Sequence, residues 1–230
     1  MPPMPPYLAT SWGVSTRLMG ALIMTHGDDK GVVLPPPVAP IQVVVVPIFD
    51  TKNILGVSEG AEDGVVTHAK AVTAALKATG IRARLDDREN MRPGAKYFEW
   101  ERKGVPLRLE IGPRDILKGV AMLAERHTGN KGTIPCSPGD IDSGALTVDI
   151  EKRLVSVHDE LLRNAEARLK AKIFRPETYA QMKEMIFAAN EGEKDDRDPE
   201  QAGFYLVPWR CDEDDEAAIK ADCKATVRCY

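Results

Sequence analysis

The apolar positions divide the chain into segments of different period. Leu18 to Met24 is a short apolar run with Gly20 inside it, and Pro35, Pro36 and Pro37 follow downstream. Three successive prolines cannot continue a helix. The pattern therefore predicts a helix over 18–24, then an extended linker and a domain boundary after residue 37. Ile41 to Phe49 reads IQVVVVPIF, β-branched without alternation. Such a run predicts a strand buried on both faces, as in a parallel sheet covered by helices. Residues 51–63 are polar with glycine, which predicts a loop. From Gly64 to Thr79, Val66, Ala69, Val72, Ala75 and Leu76 recur at helical spacing, with Gly80 at the C-cap position.

Ile81 to Leu85 alternates apolar and basic residues, which predicts a half-buried strand. Pro106 to Ile111 (PLRLEI) alternates likewise, with Arg108 and Glu110 on one face and Leu107, Leu109 and Ile111 on the other. Between these two strands, Pro93 and Gly94 predict a turn and residues 95–103 a short helix, and Val120 to Glu125 predicts a further strand. Strands alternating with helices place residues 38–143 in an α/β layered domain. Leu146 to Lys172 is a long amphipathic helix with Ile150, Leu154, Val157, Leu161, Ala165 and Leu169 along one face. Core packing accounts for that stripe. Residues 175–189 predict a second helix opened by Pro176, 191–201 a solvated loop, 203–209 a strand and 212–221 a helix. Residues 144–230 are thus a linking helix followed by a small α+β domain.

Composition narrows the function classes. The chain has 230 residues, of which 43% are hydrophobic and 29% charged, ordinary values for a globular protein. No apolar run approaches the roughly 20 residues that span a bilayer. The start, MPPMPPYLAT, lacks a basic stretch followed by an apolar core, so neither a membrane anchor nor a secretory signal is expected. Cys136, Cys211, Cys223 and Cys229 are too scattered for a disulfide scaffold, which fits a reduced, cytoplasmic setting. A net charge of −4 argues against a general polyanion binder. The charge is uneven, however. Residues 82–114 hold nine basic and six acidic side chains, whereas residues 151–230 hold 14 basic and 18 acidic ones. A polyanion would approach the middle of the chain. Asp28 and Asp29, beside Gly27 and Gly31, read as a turn. His26, His68, His127 and His158 show no metal-ligand spacing.

Thr10 to Pro37, with Gly13, Ser15 and Arg17 running into an apolar segment and then THGDDKG, resembles motif 3 of class II aminoacyl-tRNA synthetases as worded in the prolyl-tRNA synthetase family. Two further blocks occur in the family's order. LDDRENMRPGAKYFEWERKGVPLRLEIGPRD resembles its anticodon-binding domain, and GFYLVPWRCDEDDEAAIKADCKATVRC the start of the extra C-terminal domain of the archaeal and eukaryotic type. The resemblance implies an α/β anticodon-binding domain with a mixed sheet of about five strands between helices, then a small α+β domain. It implies the C-terminal portion of an enzyme that activates proline with ATP and transfers it to tRNA(Pro), working in the cytoplasm as a homodimer. By this resemblance Arg17 is the motif 3 arginine that binds ATP phosphates, a task suited to a permanently charged, forked donor. Thr10, Ser11, Trp12, Gly13 and Ser15 line the ATP and proline site, and Mg accompanies ATP. Motifs 1 and 2 are not among these residues, so the adenylate site is incomplete in this stretch.

The same resemblance puts Asp87, Arg88, Lys96, Glu99, Arg108, Glu110 and Arg114 on the tRNA-facing side. Carboxylates accept from guanine N1 and N2, while arginine and lysine donate to O6 and N7. Tyr97, Phe98 and Trp100 serve either as stacking platforms or as core. The family's extra domain often holds zinc on four cysteines. Here Cys211 matches the first position but Glu216 occupies the second, so zinc is not expected. The alternative to a ligase portion is a stand-alone anticodon-binding module without catalysis.

Overall fold

The computed structural model describes residues 11–48, 61–190, 202–208 and 212–228. The valine run forms β1 (Val43–Pro47), buried at every position. It lies between β2 (Ala83–Leu85) and β3 (Leu107–Ile111), both parallel to it. β4 (Val120–Glu125) pairs antiparallel with β3, and β5 (Lys131–Pro135) antiparallel with β4. The sheet is mixed and five-stranded, in the order β2-β1-β3-β4-β5.

The uninterrupted valines are explained by two cores, one on each side of the sheet. Val43 and Val45 pack with Val65, Ala69, Val72 and Leu76 of α2 (Ala61–Ala78) and with Leu107, Leu109 and Ile111. Val44 and Val46 pack with Trp100 of α3 (Pro93–Arg102) and with Val105. Each buried valine contributes on the order of 1.5–3 kcal/mol relative to exposure. The chain leaves β1 for β2 on one side, then crosses back to β3 on the other. The winding direction therefore reverses between β1 and β3. α4 (Pro113–Lys118) and α5 (Pro138–Asp142) follow β3 and β5. Leu146, Ile150, Leu154, Val157 and Leu161 of α6 (Ala145–Ala171) complete the larger core.

Two compact units divide at Leu161/Leu162. The expectation set a boundary at 143/144. The buried stripe of α6 instead joins the helix's first half to the sheet. In the second unit, β6 (Ile173–Phe174) pairs in parallel with β7 (Phe204–Tyr205). Met182 and Ile186 of α7 (Tyr179–Asn190) pack with Cys223 of α8 (Glu213–Cys223).

Local differences from expectation have local causes. α1 spans Arg17–His26 and buries no residue. The proline segment is a packed turn, not an extended linker. Its carbonyls find a donor in Arg82, whose guanidinium reaches Pro36 O at 2.8 Å, Pro37 O at 3.1 Å and Ala39 O at 2.8 Å. Pro93, read as part of a turn, is the first residue of α3, where its missing N–H costs nothing. α2 begins at Ala61, inside the expected loop, and the remainder of that loop lies outside the described residues. α7 starts after Thr178 rather than at residue 175, because Thr178 Oγ1 accepts from Gln181 N–H at 3.1 Å as a cap does. The strand expected over 203–209 shortens to β7, and Trp209 lies outside the described residues. β5, β6, α4 and α5 are additions to the sequence reading.

Candidate nucleic-acid interface

In open α/β sheets, ligands meet the carboxyl ends of parallel strands where the winding reverses. Here that edge is formed by the ends of β2, β1 and β3. β2 runs into Asp86, Asp87 and Arg88, and β3 into Gly112, Pro113 and Arg114. Asp87 and Arg114 are both exposed at this edge.

Behind the edge, the sheet face under α3 carries two charged networks. The first centres on Asp86, whose side chain is 1% exposed. Arg88 grips its carboxylate through Nε and Nη2 at 2.7 Å each, and Trp100 Nε1 donates to it at 2.7 Å. Lys96, also buried, donates to the Asp86 carbonyl at 3.0 Å. Burial opposes the charged form of Asp86. The bonds from Arg88 and Trp100 and the field of Lys96 overcome it and hold the carboxyl at about 2. Burial in turn pushes the Lys96 amine below its ordinary value. Arg88 also reaches Glu99 at 2.9 Å, and the Lys103 ammonium bonds the same carboxylate. Those two cations hold Glu99 below the usual carboxylate range. The Trp100 ring carries Lys103 at 4.7 Å and Arg84 at 5.4 Å.

The second network rises from β3. Alternation puts Arg108 and Glu110 on one shared face, as the sequence predicts, and the structure turns that face to α3; Arg108 Nε donates to Glu110 at 3.0 Å. Arg108 Nη1 reaches Glu101 at 3.0 Å, and Lys131 on β5 reaches Glu110 at 3.2 Å. Tyr97 lies over the guanidinium of Arg108, 4.2 Å from ring centroid to Cζ. Burial, then the neighbouring Glu110 carboxylate, push the Tyr97 phenol well above its ordinary value. The tyrosine therefore stays neutral, an aromatic plane over a fixed cation. Lys131 and Thr133 of β5 are exposed on this side, and Met122 of β4 is half-buried. Chemically the face offers carboxylate acceptors, guanidinium and ammonium donors, and one aromatic plane, held rigidly by mutual pairing.

Comparisons with known proteins fit this geometry. Residues 42–138 match the family described as "Anticodon binding domain". The proline–tRNA ligase of Cytophaga hutchinsonii is 42% identical over 220 residues, covering 96% of this chain and 40% of that protein. That of Cenarchaeum symbiosum is 41% identical over 219 residues, covering 95% of this chain and 40% of that protein. A crystal structure of prolyl-tRNA synthetase from Cryptosporidium parvum with L-proline and AMP superposes with a TM-score of 0.72 at 35% identity, over 90% of this chain and 38% of that one. The chain belongs to the prolyl-tRNA synthetase family. It spans about 40% of the length of these ligases and fits their C-terminal portion.

Against that family, the seven residues expected to face tRNA separate into two classes. Asp87 and Arg114 are exposed at the sheet edge, and Arg88 and Glu99 are partly exposed between networks. Lys96, Arg108 and Glu110 are buried beneath them, with side chains 2%, 7% and 8% exposed. Sequence reasoning missed Asp86, Glu101, Arg126 and Lys131. Asp86 had a usable signal, because it continues the β2 alternation on the Arg84 side. Lys131 had none, since β5 was not read as a strand.

At the other end, Ser11, Trp12, Gly13 and Ser15 are exposed and Arg17 is the exposed first residue of α1. Thr10 and Cys211 lie outside the described residues. Among the described residues, no three His, Cys, Asp or Glu side chains stand together as metal ligands would, so no metal-holding role is assigned to them. None of the described helices is long and apolar enough to cross a membrane.

Proposed function

We propose that this chain supplies anticodon recognition to a proline–tRNA ligase, the cytoplasmic enzyme that activates proline with ATP and transfers it to tRNA(Pro). The observation that carries this reading is the paired array of acceptors and donors at the carboxyl edge of β2, β1 and β3, inside the segment matching an anticodon-binding domain. Proline anticodons carry guanines at their second and third positions. Guanine presents N1–H and N2–H donors together with O6 and N7 acceptors, and in a single-stranded loop these edges are accessible. Asp87, Arg88, Glu99 and Arg114 meet the bases from the exposed layer. Lys96, Arg108 and Glu110 hold that layer in place and close the site from below, and Tyr97 offers its ring for stacking.

The chemical step belongs to the ligase as a whole. Arg17 stands where motif 3 places its phosphate-binding arginine, and Thr10, Ser11, Trp12, Gly13 and Ser15 stand along the same ATP and proline site. That the Cryptosporidium relative was crystallised with L-proline and AMP supports a site for proline and an adenine nucleotide. Magnesium accompanies ATP, and two copies form the working enzyme.

The test is binding of this chain to an anticodon stem-loop carrying both guanines, against one with both replaced, at one moderate salt concentration. A well-made contact to one base discriminates by roughly 1–3 kcal/mol, so a preference of at least about tenfold is expected. Arg114→Ala and Asp87→Ala should each reduce it. Equal affinity for the two RNAs rejects the reading.

A further inference from the structure

The segment joining α1 to the α/β domain is held by one buried arginine. Arg126, at the end of β4, has a side chain 2% exposed. Its two terminal nitrogens donate to the Asp28 carboxylate at 2.7 and 2.6 Å. One of them also reaches Gly31 O at 3.3 Å, and Nε donates to the Glu101 carbonyl at 2.7 Å. Asp28 is the hub of a tight turn. Its side chain accepts from Lys30 N–H at 2.9 Å, and its backbone exchanges bonds with Gly31 at 3.0 and 2.9 Å. The bond from Arg126, with its charge, holds the Asp28 carboxyl at about 2.

Beyond the turn, Val32 and Leu34 donate to Arg102 O and Gly104 O at 3.4 and 3.3 Å. Backbones come so close there that a Cβ on Gly31 would lie 2.8 Å from Arg102 O, and one on Gly104 2.6 Å from Val32 O. Glu101 serves both sides. Its carbonyl holds Arg126, while its carboxylate holds Arg108. Glu101, Arg108, Arg126 and Lys131 line one small cavity of about 20 Å³. Arg126, Arg108 and Lys131 thus balance Asp28, Glu101 and Glu110 in a contiguous network.

We propose that Arg126 is a positioning residue. Through Asp28 it fixes the segment that leads from Arg17, and through Glu101 it ties that segment to the Arg108–Glu110 pair under the anticodon-reading face. The coupling rests on the reading of that face given above, whereas the clamp itself does not. If the Asp28 charge is removed, buried Arg126 keeps the Gly31 and Glu101 carbonyls but loses its carboxylate, and the Glu101 side chain beside the same small cavity is a carboxylate it can turn to. Arg108 then shares Glu101 with a second cation, and the array beneath the edge loosens.

The test uses Asp28→Asn in the full chain, since asparagine keeps the turn-forming acceptor but not the charge. Hydrogen exchange at Val32 and Leu34 should accelerate by at least about tenfold, while Val45 in the central strand is unchanged. Unchanged protection at Val32 and Leu34 overturns the clamp. In the two-RNA experiment, selectivity for the guanine-bearing loop should fall by about threefold or more. Charge alone predicts the opposite trend in affinity, because the variant is less negative toward a polyanion. Asp28→Glu should restore part of both effects, and Lys30→Ala should change neither. Lost protection with full selectivity leaves a clamp but overturns the coupling. If the unaltered chain shows no selectivity, the interface reading and the coupling fall together, and the exchange rates still decide the clamp.

Discussion

Asp86 and Asp87 are neighbours of one type with opposite fates. Asp86 turns inward to Arg88, Trp100 and Lys96, whereas Asp87 faces solvent. The folded Asp86 carboxyl titrates at about 2 against an ordinary 3.8, a depression. Its stabilising contribution is therefore complete above about pH 4 and disappears as pH falls through about 2, amounting to about 2 kcal/mol. Urea unfolding across that window should show a steeper acid loss in the unaltered chain than in Asp86→Asn. At neutral pH, Asp86→Asn removes the buried carboxylate that Arg88, Trp100 and Lys96 share and should cost about 3–5 kcal/mol. Asp87→Asn should cost less than about 0.5 kcal/mol. The β2 alternation separates Asp86 from Asp87, but only the packing of Arg88, Trp100 and Lys96 over that side buries Asp86, which is why sequence reasoning chose the exposed aspartate and passed over the buried one.

Among the elements, those with a sustained apolar pattern were legible and those without one were not. α6 spans 27 residues, so its apolar stripe stands out against the charged face. Leu154→Ala should cost roughly 2–5 kcal/mol, because the methyl groups leave a filled core. Val155→Ala, at a position 60% exposed, should stay within about 0.5 kcal/mol. Denaturant midpoints for both variants check the helix's rotation. β5 reads KGTIP with one buried residue, Ile134, which leaves no alternation to count. α4 and α5 span six and five residues and are equally silent. The turn after α3 is set by backbone geometry. Gly104 has φ 72, and a Cβ would press on Val32 O. Gly104→Ala should cost about 1–3 kcal/mol and shift Tm downward, with the effect centred on the Val32–Leu34 contacts in hydrogen exchange.

For the whole molecule, electrostatics separate a net charge from a local one. The chain is at −4 overall, yet its mid-chain window carries an excess of basic residues. RNA binding through that window should weaken with salt, with a slope of roughly −0.7 per phosphate neutralised on a single-stranded loop. A titration series in salt checks this, and Arg114→Ala should flatten the slope by somewhat less than one. A salt-independent affinity would place the contacts away from the basic window.

The sequence by itself determined the class of fold, the central buried strand, the long helix, the alternation that sets Arg108 and Glu110 opposite Leu107 and Leu109, and the family. Those are properties of local period and of motif order, which are written residue by residue. Tertiary structure alone decided which charged residues are buried and which face solvent, that the prolines form a packed turn held by Arg82, and that Arg126 meets Asp28. The reason is sequence distance. Asp28 and Arg126 lie 98 residues apart, Arg82 and Pro36 lie 46 apart, and only strand pairing brings such partners within hydrogen-bond reach.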